Sequence, residues 1–374
     1  MFESRALKRA IPAAVVAAML LATVACGGDD DDDASSSGDT SGGEAVKIAL
    51  LLPETETARY ESQDRPLFEA KVEELCPDCE IIYNNADQDA AEQQSQAEAA
   101  LTNGADVLVL DPVDSVSAAS IVGQAESQDV PVISYDRLIQ DAPIDYYISY
   151  DNEKVGELQA TALTDKLAED GTDSGSLVMI NGSPTDNNAT LFKEGAHGVL
   201  DDSDYEIGAE YDTPDWKPAE AQQEMEQAIT RLGEDGFVGV YAANDGTAGG
   251  AIAAMKAAGI TPLPPITGQD AELAAIQRIL AGEQYMTVYK AIKPEAEIAA
   301  EVAIALGRGE DPPDDQVNDN VDNGDSEIPS MILDPVSVTA ENVNDTIVKD
   351  GFWDPADICE GDYATACEEA GISS

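Results

Sequence analysis

Charged and amide side chains recur directly after short apolar runs of this chain, where they could form one binding site. The run from Val130 to Ile133 has the length and β-branched content of a buried strand, and Asp136-Arg137 follow it closely. Ligands of open parallel sheets bind beyond the carboxyl ends of the strands. Residues in this type of position are Arg59, Tyr60, Asp111, Asp114, Asp136, Arg137, Asp186, Asn188, Asn244, Asp245, Gln269, Asp270 and Lys290, and Trp216 lies in the loop between Asp212 and Pro218.

These residue types suit a neutral polyol such as a sugar. Carboxylates and amides accept hydrogen bonds from hydroxyl groups, guanidinium and ammonium groups donate to them, and an aromatic ring can cover a C–H face. Three acidic and three basic side chains would cancel in charge, as a neutral ligand requires: Asp136, Asp186 and Asp270 against Arg59, Arg137 and Lys290. Any one of them could instead be a structural ion pair or a core residue, so the prediction depends on their common placement at strand ends.

Motifs for catalysis, phosphate binding and metal binding are weak by comparison. The small-residue segment from Asn244 to Ala251 has neither the lysine of a phosphate-binding loop nor the GxGxxG register. His197 is the one histidine and has no serine or cysteine nucleophile motif nearby. We therefore predict a binding protein rather than an enzyme, with no cofactor and no metal. A carbohydrate-active enzyme with paired carboxylates stays an alternative, since sequence does not give their separation.

Short apolar runs and amphipathic segments alternate from Lys47 onward, which predicts parallel strands covered by helices on both faces. Strands are predicted over 48–52, 80–83, 106–110, 130–134, 176–180, 205–210, 237–242, 265–267 and 285–289. Helices are predicted over 66–75, 90–103, 116–128, 153–169, 188–200, 218–232, 248–258 and 271–281, and from a first turn at Pro294 to Gly307. Residues 309–327 are poor in apolar side chains and are predicted to form a loop.

The first 25 residues resemble the signal peptide of a bacterial lipoprotein. Basic residues precede an apolar segment that is too short to span a bilayer, and Cys26 follows a small residue. Residues 26–45 contain a run of aspartates and no large apolar side chain, which predicts a disordered acidic tether. We expect export, lipidation of Cys26 and anchoring at the outer face of the cell membrane. An ordinary signal peptide would keep the export but remove the lipid.

The formal net charge of −56 argues against nucleic acid or an anionic membrane surface as a partner, because phosphate groups would be repelled. Such a charge is typical of a surface that stays hydrated in a salty setting. Acidic residues on ordinary solvated helices and loops would explain it equally, and the sequence does not separate the two.

Four cysteines remain if Cys26 carries the lipid, and in an exported chain they predict two disulfides. The local pairs Cys76–Cys79 and Cys359–Cys367 need the least chain closure of the three possible pairings. A redox or zinc role for the CPDC motif is less favoured, since the chain has no second CxxC.

Long ungapped motifs resemble the D-xylose-binding proteins of bacterial ABC sugar importers, within the ribose/galactose type of periplasmic binding proteins. They are YDRLI from Tyr135, YISYDNEKVGELQA from Tyr147, GSPTDNNA from Gly182, NDGTAGGAI from Asn244, GQDAELAAI from Gly268, TVYK from Thr287 and DTIVKDGF from Asp345. The resemblance runs from residue 47 to about residue 353. It implies an α/β fold of two Rossmann-like lobes with parallel sheets, joined by a three-crossing hinge.

The same resemblance implies a division of the chain into lobes. After the signal peptide (1–25) and tether (26–45), the N-terminal lobe would comprise 46–152 and 292–329, the C-terminal lobe 153–291 and 330–358, and a tail 359–374. The three crossings would lie at 151–155, 291–294 and 328–333. The implied sugar contacts are Arg59, Asp136, Arg137, Asp186, Asn188, Trp216, Asn244, Asp270 and Lys290, with Tyr60 as a stacking ring.

The function implied is that of a monomeric receptor that closes on a monosaccharide, D-xylose first, and delivers it to an ABC permease and its ATPase subunit. Tyr60 lies where the family carries tryptophan, so a preference for glucose, ribose or another aldose is an alternative. A sugar-sensing subunit for a membrane histidine kinase or chemoreceptor would use the same cleft and is the second alternative.

Overall fold

The computed structural model describes residues 45–372, so the predicted signal peptide, Cys26 and nearly all of the acidic tether lie outside the described residues. The strands are β1 (Lys47–Leu52), β2 (Glu80–Asn85), β3 (Val107–Leu110), β4 (Val132–Tyr135), β5 (Tyr146–Tyr150), β6 (Gly175–Asn181), β7 (Tyr205–Asp212), β8 (Gly239–Ala242), β9 (Met286–Tyr289), β10 (Asp319–Asp322), β11 (Glu327–Leu333) and β12 (Val336–Thr339). The helices are α1 (Arg65–Leu75), α2 (Ala90–Thr102), α3 (Ala119–Glu126), α4 (Asn152–Glu169), α5 (Asn187–Leu200), α6 (Pro218–Leu232), α7 (Asp245–Ala257), α8 (Leu273–Leu280), α9 (Ile292–Gly307), α10 (Pro355–Ile358) and α11 (Ala364–Glu369).

The first sheet has seven strands in the order β10-β11-β5-β4-β3-β1-β2, and all neighbours are parallel except β10 with β11. Helices cover both of its faces. Along β1, Ile48 and Leu50 pack among residues of α1 and α9, while Ala49 and Leu51 pack among residues of α2 and α3. Because both faces are buried, β1 and β3 are almost continuously apolar, as was predicted for parallel strands.

The second sheet has the parallel strands β7-β6-β8. Single parallel bridges, Val240 with Ile266 and Gln269 with Val288, continue it toward β9, which pairs antiparallel with β12. Helices α4 and α5 pack against each other in this part of the chain, as do α6 and α7. The two sheets and their helices form two α/β lobes, called here the first and the second lobe after their sheets.

The chain passes between the two sheets three times. The first passage lies between β5 and α4, and the second lies at 290–291, between β9 and α9. The third was predicted at 328–333, and this is wrong: β11 pairs in parallel with β5, so the chain leaves the first sheet only at 334–335. Residues 330–333 therefore belong to the first lobe. Pro329 lies within β11, and because proline disfavours the interior of a sheet, the sequence did not indicate this strand. In the structure Pro329 is paired with Asn320 of the edge strand β10.

Three further segments differ from the prediction. The strand predicted at 265–267 is only the single bridge of Ile266 with Val240. The loop predicted at 309–327 contains β10, whose residues DNVD are mostly exposed because it is the edge strand of the first sheet. The described part of the predicted tail, 359–372, is packed onto the second lobe. Ile358, Cys367 and Ile372 are buried there in one cluster with residues of α8 and β9.

Both disulfides join the local pairs that were favoured. The S–S distance is 2.02 Å for Cys76–Cys79 and 2.09 Å for Cys359–Cys367. Among residues 45–372, no helix is both long and apolar enough to cross a membrane. Within the same range, no group of three or more histidine, cysteine or acidic side chains is arranged to hold a metal ion.

His197 links α5 to β7, with Nδ1 at 3.0 Å from Asp201 Oδ1 and Nε2 at 3.2 Å from Glu210 Oε1. Burial lowers the pKa of His197, but the two carboxylates outweigh burial and raise the pKa above its usual value. A raised pKa in the folded state contributes stability that is full below the ordinary histidine pKa and is lost as the pH rises through the raised pKa.

We therefore expect the melting temperature of the wild type to fall, relative to His197→Gln, as the pH rises above about 6.5. Thermal unfolding of both proteins across this range measures the difference. The same difference in melting temperature between the two proteins at every pH would contradict the assigned role of His197.

Candidate functional site

All ten side chains predicted to contact the ligand line one cavity between the two lobes. The cavity is lined by Thr57, Arg59, Tyr60, Asp136, Arg137, Asp186, Asn188, Phe192, Trp216, Asn244, Gln269, Asp270 and Lys290. Sequence reasoning missed Phe192, which resembles an ordinary core residue of α5. Its position one helical turn after Asn188, and so on the same helix face, was the available signal.

Arg59 lies where the chain enters the helical turn Tyr60–Asp64 that precedes α1. Its guanidinium group is buried among three carboxylates. Nε and Nη2 donate to the Asp64 oxygens at 2.9 and 2.6 Å, and Nη2 donates to Glu295 at 3.1 Å. The remaining nitrogen, Nη1, donates to Asp136 at 2.6 Å. Asp64 and Glu295 therefore fix the plane of the guanidinium group, which leaves one edge directed at the cavity.

Arg137 follows β4 and is held from both lobes. Its Nε lies 3.0 Å from Asp186 Oδ2 in the second lobe and 3.5 Å from Asp111 Oδ1 in the first. Its Nη2 donates to the hydroxyl oxygen of Tyr60 at 3.3 Å. The ring of Tyr60 thus lies beside two arginines, with the Arg59 guanidinium carbon 5.1 Å from its centre.

Asp186 and Asn188 come from the start of α5 in the second lobe. Asp186 caps this helix by accepting from the backbone N–H of Asn188 at 2.8 Å, and its other oxygen accepts from Trp216 Nε1 at 3.1 Å. The Asn188 side chain reaches the first lobe, where Nδ2 donates to Asp136 Oδ1 at 2.9 Å. These contacts hold the two lobes in a closed arrangement around the cavity.

Trp216 forms one wall of the cavity because Gly182 leaves room for its ring. A Cβ atom on Gly182 would lie 2.0 Å from Cη2 of the indole, closer than any real contact. The Phe192 ring meets the indole edge-on, with 6.4 Å between ring centres. A flat aromatic surface of this kind can cover a C–H face of a sugar.

Asn244, Asp270 and Lys290 complete the site from the ends of the second sheet. Asn244 caps α7 by accepting from Thr247 N at 2.9 Å. Lys290 follows β9, and its ammonium group lies 3.3 Å from Asp270 Oδ1 and 3.5 Å from Asp136 Oδ2. Among the described residues, the buried Oε1 of Gln269 has no hydrogen-bond partner, and Asp270 Oδ1 has an ion pair with Lys290 but no hydrogen bond. They are acceptors that hydroxyl groups of a ligand can satisfy.

Three site residues have left-handed backbone conformations that are uncommon for side chains with a Cβ atom. The φ angle is 56° at Asp136, 56° at Trp216 and 90° at Asp270. Such conformations cost about 1–3 kcal/mol each and persist only where the surrounding structure enforces them. Their concentration around one cavity is typical of a functional site.

Burial and neighbouring positive charges shift the pKa values of the cavity carboxylates in opposite directions. Burial raises the pKa of Asp136, but Arg59, Lys290 and Arg137 outweigh it and hold the pKa below its usual value. Burial raises the pKa of Asp186 despite the opposing effect of Arg137. Because opposite charges are paired within the cavity, the site favours an uncharged ligand that offers both donors and acceptors.

Larger hollows occur elsewhere on the surface. One of about 530 Å³ lies on the second lobe beside Tyr285 and Leu263. Most of its lining is exposed or half-buried, and it lacks the converging buried charges of the cavity between the lobes. The smaller cavity is therefore the better candidate for a specific polar ligand.

Two α/β lobes that enclose a small polar cavity, joined by three passages of the chain, define a receptor that closes on its ligand. Comparison with known proteins agrees: residues 48–311 match the periplasmic binding protein domain. The chain belongs to this family.

Two curated relatives carry sugar names. The chain is 40% identical over 311 residues to the D-xylose-binding periplasmic protein of Escherichia coli (strain K12), covering 82% of this chain and 91% of that protein. It is 34% identical over 286 residues to a multiple sugar-binding periplasmic receptor of Rhizobium radiobacter, covering 71% and 80%. A solved ABC transporter solute-binding protein from Clostridium phytofermentans, with bound β-D-glucose, has a TM-score of 0.77 at 28% identity and covers 83% of this chain and 99% of its own.

These comparisons confirm the resemblance and the fold class that the motifs predicted. The relatives are binding proteins, in agreement with the prediction of a binding protein rather than an enzyme. Two of them are named as periplasmic, which agrees with the expected export of this chain.

Proposed function

We propose that this protein is the substrate-binding component of an ABC-type sugar importer and closes on one monosaccharide, with D-xylose as the first candidate. One observation carries the proposal: acidic, basic and aromatic side chains from both lobes converge on one buried cavity between them. The 40% identity with a D-xylose-binding protein supports the choice of sugar.

The proposed mechanism is closure of the lobes by the ligand. Sugar hydroxyls would bond Asp136 and Arg137 of the first lobe and Asn188 and Asp270 of the second at the same time. A ligand that contacts both lobes binds the closed form better than the open one and shifts the equilibrium toward it. The closed form then docks on the permease, and the ATPase subunit drives release and transport.

Anchoring and assembly belong to the same proposal. Lipidation of Cys26 would hold the protein at the outer face of the cell membrane, and the acidic tether would let a monomeric receptor reach the permease. Mass spectrometry of the membrane-extracted protein reads the lipid on Cys26 directly.

Titration with D-xylose, D-glucose, D-ribose, L-arabinose and D-galactose by isothermal calorimetry tests the choice of ligand. We expect D-xylose to bind most tightly, with a negative heat-capacity change because the closing cleft buries apolar surface. The change in the ratio of the D-glucose to the D-xylose affinity between the wild type and Tyr60→Trp reports how Tyr60 affects specificity. Absence of binding for every sugar at about 1 mM would contradict the receptor function.

A further inference from the structure

Asp270, a proposed sugar contact, lies in a turn whose backbone is strained. The φ angle is 90° at Asp270 and 50° at the next residue, Ala271. Both values lie in the left-handed region, which is unfavourable for residues that carry a Cβ atom. Such a turn keeps its shape only if neighbouring groups hold it.

Asp270 and Ala271 make three hydrogen bonds that hold this turn. Asp270 N donates to Val288 O at 2.9 Å, and Ala271 N donates to Thr287 Oγ1 at 3.1 Å; both partners belong to β9. The third bond comes from a distant part of the chain, since Trp353 Nε1 donates to Ala271 O at 2.7 Å. Trp353 follows β12 and lies beyond residues 48–311, which match the family domain.

Trp353 is itself fixed by aromatic contacts. Its ring meets Phe352 at 5.4 Å between centres, and Phe352 meets Tyr289 at 5.0 Å, both edge-on. Tyr289 directly precedes Lys290 of the cavity. The pair Phe352-Trp353 therefore supports the two chain segments that present Asp270 and Lys290, whose charged groups lie 3.3 Å apart.

The C-terminal segment, residues 354–372, packs directly beyond Trp353. Ile358, Cys367 and Ile372 are at most 4% exposed and share one apolar cluster with Phe352 and Tyr289. The Cys359–Cys367 disulfide closes this short segment, which has only two brief helices of its own. The segment thus covers the aromatic pair that holds the turn.

We propose that Trp353, kept in place by the disulfide-closed C-terminal segment, is a positioning residue that fixes Asp270 for the sugar. The inference rests on the proposed function, because it takes Asp270 as a ligand contact. Affinity for the sugar then depends on a segment that contacts no ligand and lies outside the matched family domain.

Trp353→Phe tests the inference, because it removes the N–H donor and keeps an aromatic ring in the cluster. We expect D-xylose or D-glucose to bind about tenfold more weakly by calorimetry, since the turn loses one of its three bonds. Hydrogen exchange should become faster at residues 270–272 and stay unchanged elsewhere in the second sheet. Gln277→Ala is the matched control: Gln277 also bonds the C-terminal segment, at Asp357 O, but does not bond the turn. It should keep wild-type affinity.

A double-mutant cycle separates positioning from general stability. If Trp353 acts through Asp270, adding Trp353→Phe to Asp270→Asn should lower the affinity no further. Additive losses, or wild-type affinity and exchange in Trp353→Phe, would overturn the inference. Should Trp353→Phe not fold, the Cys359→Ser/Cys367→Ser variant serves instead, with the same exchange and affinity readouts expected. A wild type that binds neither sugar at about 1 mM would instead refute the proposed function.

Discussion

Replacing Asp136 with asparagine is expected to weaken D-xylose binding by about 100-fold while the protein stays folded. A hydrogen bond to a charged group contributes about 1.5–3 kcal/mol, and Asp136 would offer its two oxygens to a ligand in a buried site, so a loss near 100-fold is reasonable. The protein should stay folded because Arg59 still forms ion pairs with Asp64 and Glu295, and Lys290 still forms an ion pair with Asp270. Asparagine also tolerates the φ angle of 56° at this position.

Asp141→Asn is the matched control for this experiment. Asp141 also has a positive φ angle, 54°, but its side chain is exposed and outside the cavity. Calorimetry should give wild-type affinity for Asp141→Asn, and thermal unfolding should show that both variants are folded. Equal affinities for Asp136→Asn and the wild type would mean that the sugar does not bind in this cavity.

The location of the cavity could be predicted because parallel strands bring their carboxyl ends to one edge of a sheet. Asp136 follows β4, Asn244 follows β8 and Lys290 follows β9, so each was recognisable as a polar residue after an apolar run. Their meeting from two different sheets required more than strand patterns. The resemblance to a two-lobed family supplied it, and Asn188 Nδ2 at 2.9 Å from Asp136 Oδ1 is one of the contacts that join the lobes.

The groups that support the site could not be predicted in the same way. Glu295 lies in the first turn of α9, where an acidic residue is ordinary and usually exposed. In the folded chain it is fully buried against Arg59, more than 200 positions earlier in the sequence. Burial raises the pKa of Glu295 well above its usual value. No local pattern distinguishes such a residue from a solvated one.

The C-terminal segment escaped prediction for a related reason. It has few apolar residues, and its helices are too short to show a periodic pattern. Burial of Ile358 and Ile372 depends on the surface that α8 and β9 present after folding. The cysteine spacing did indicate the local disulfide, since closing a short loop requires no knowledge of the rest of the fold.

Close contact between α4 and α5 carries the last prediction. The two helices cross at a pair of glycines, where a Cβ atom on Gly195 would lie 2.0 Å from Glu153 O and one on Gly156 would lie 1.9 Å from Phe192 O. Both neighbours are backbone atoms that cannot rotate away. Because α5 presents Asn188 and Phe192 to the cavity, the separation of these helices also sets the position of one cavity wall.

Gly195→Ala is therefore expected to lower the free energy of unfolding by about 3 kcal/mol and to weaken sugar binding at the same time, since overpacking moves α5 away from α4. Gly198→Ala, three residues along the same helix, is the control. Nothing lies within 4 Å of a Cβ atom there. It should stabilise the protein by up to about 1 kcal/mol, because alanine favours helix over glycine. Denaturant unfolding measures the free energy of unfolding of both variants. Similar free energies for the two would show that α4 and α5 tolerate a wider separation than their backbone contact implies.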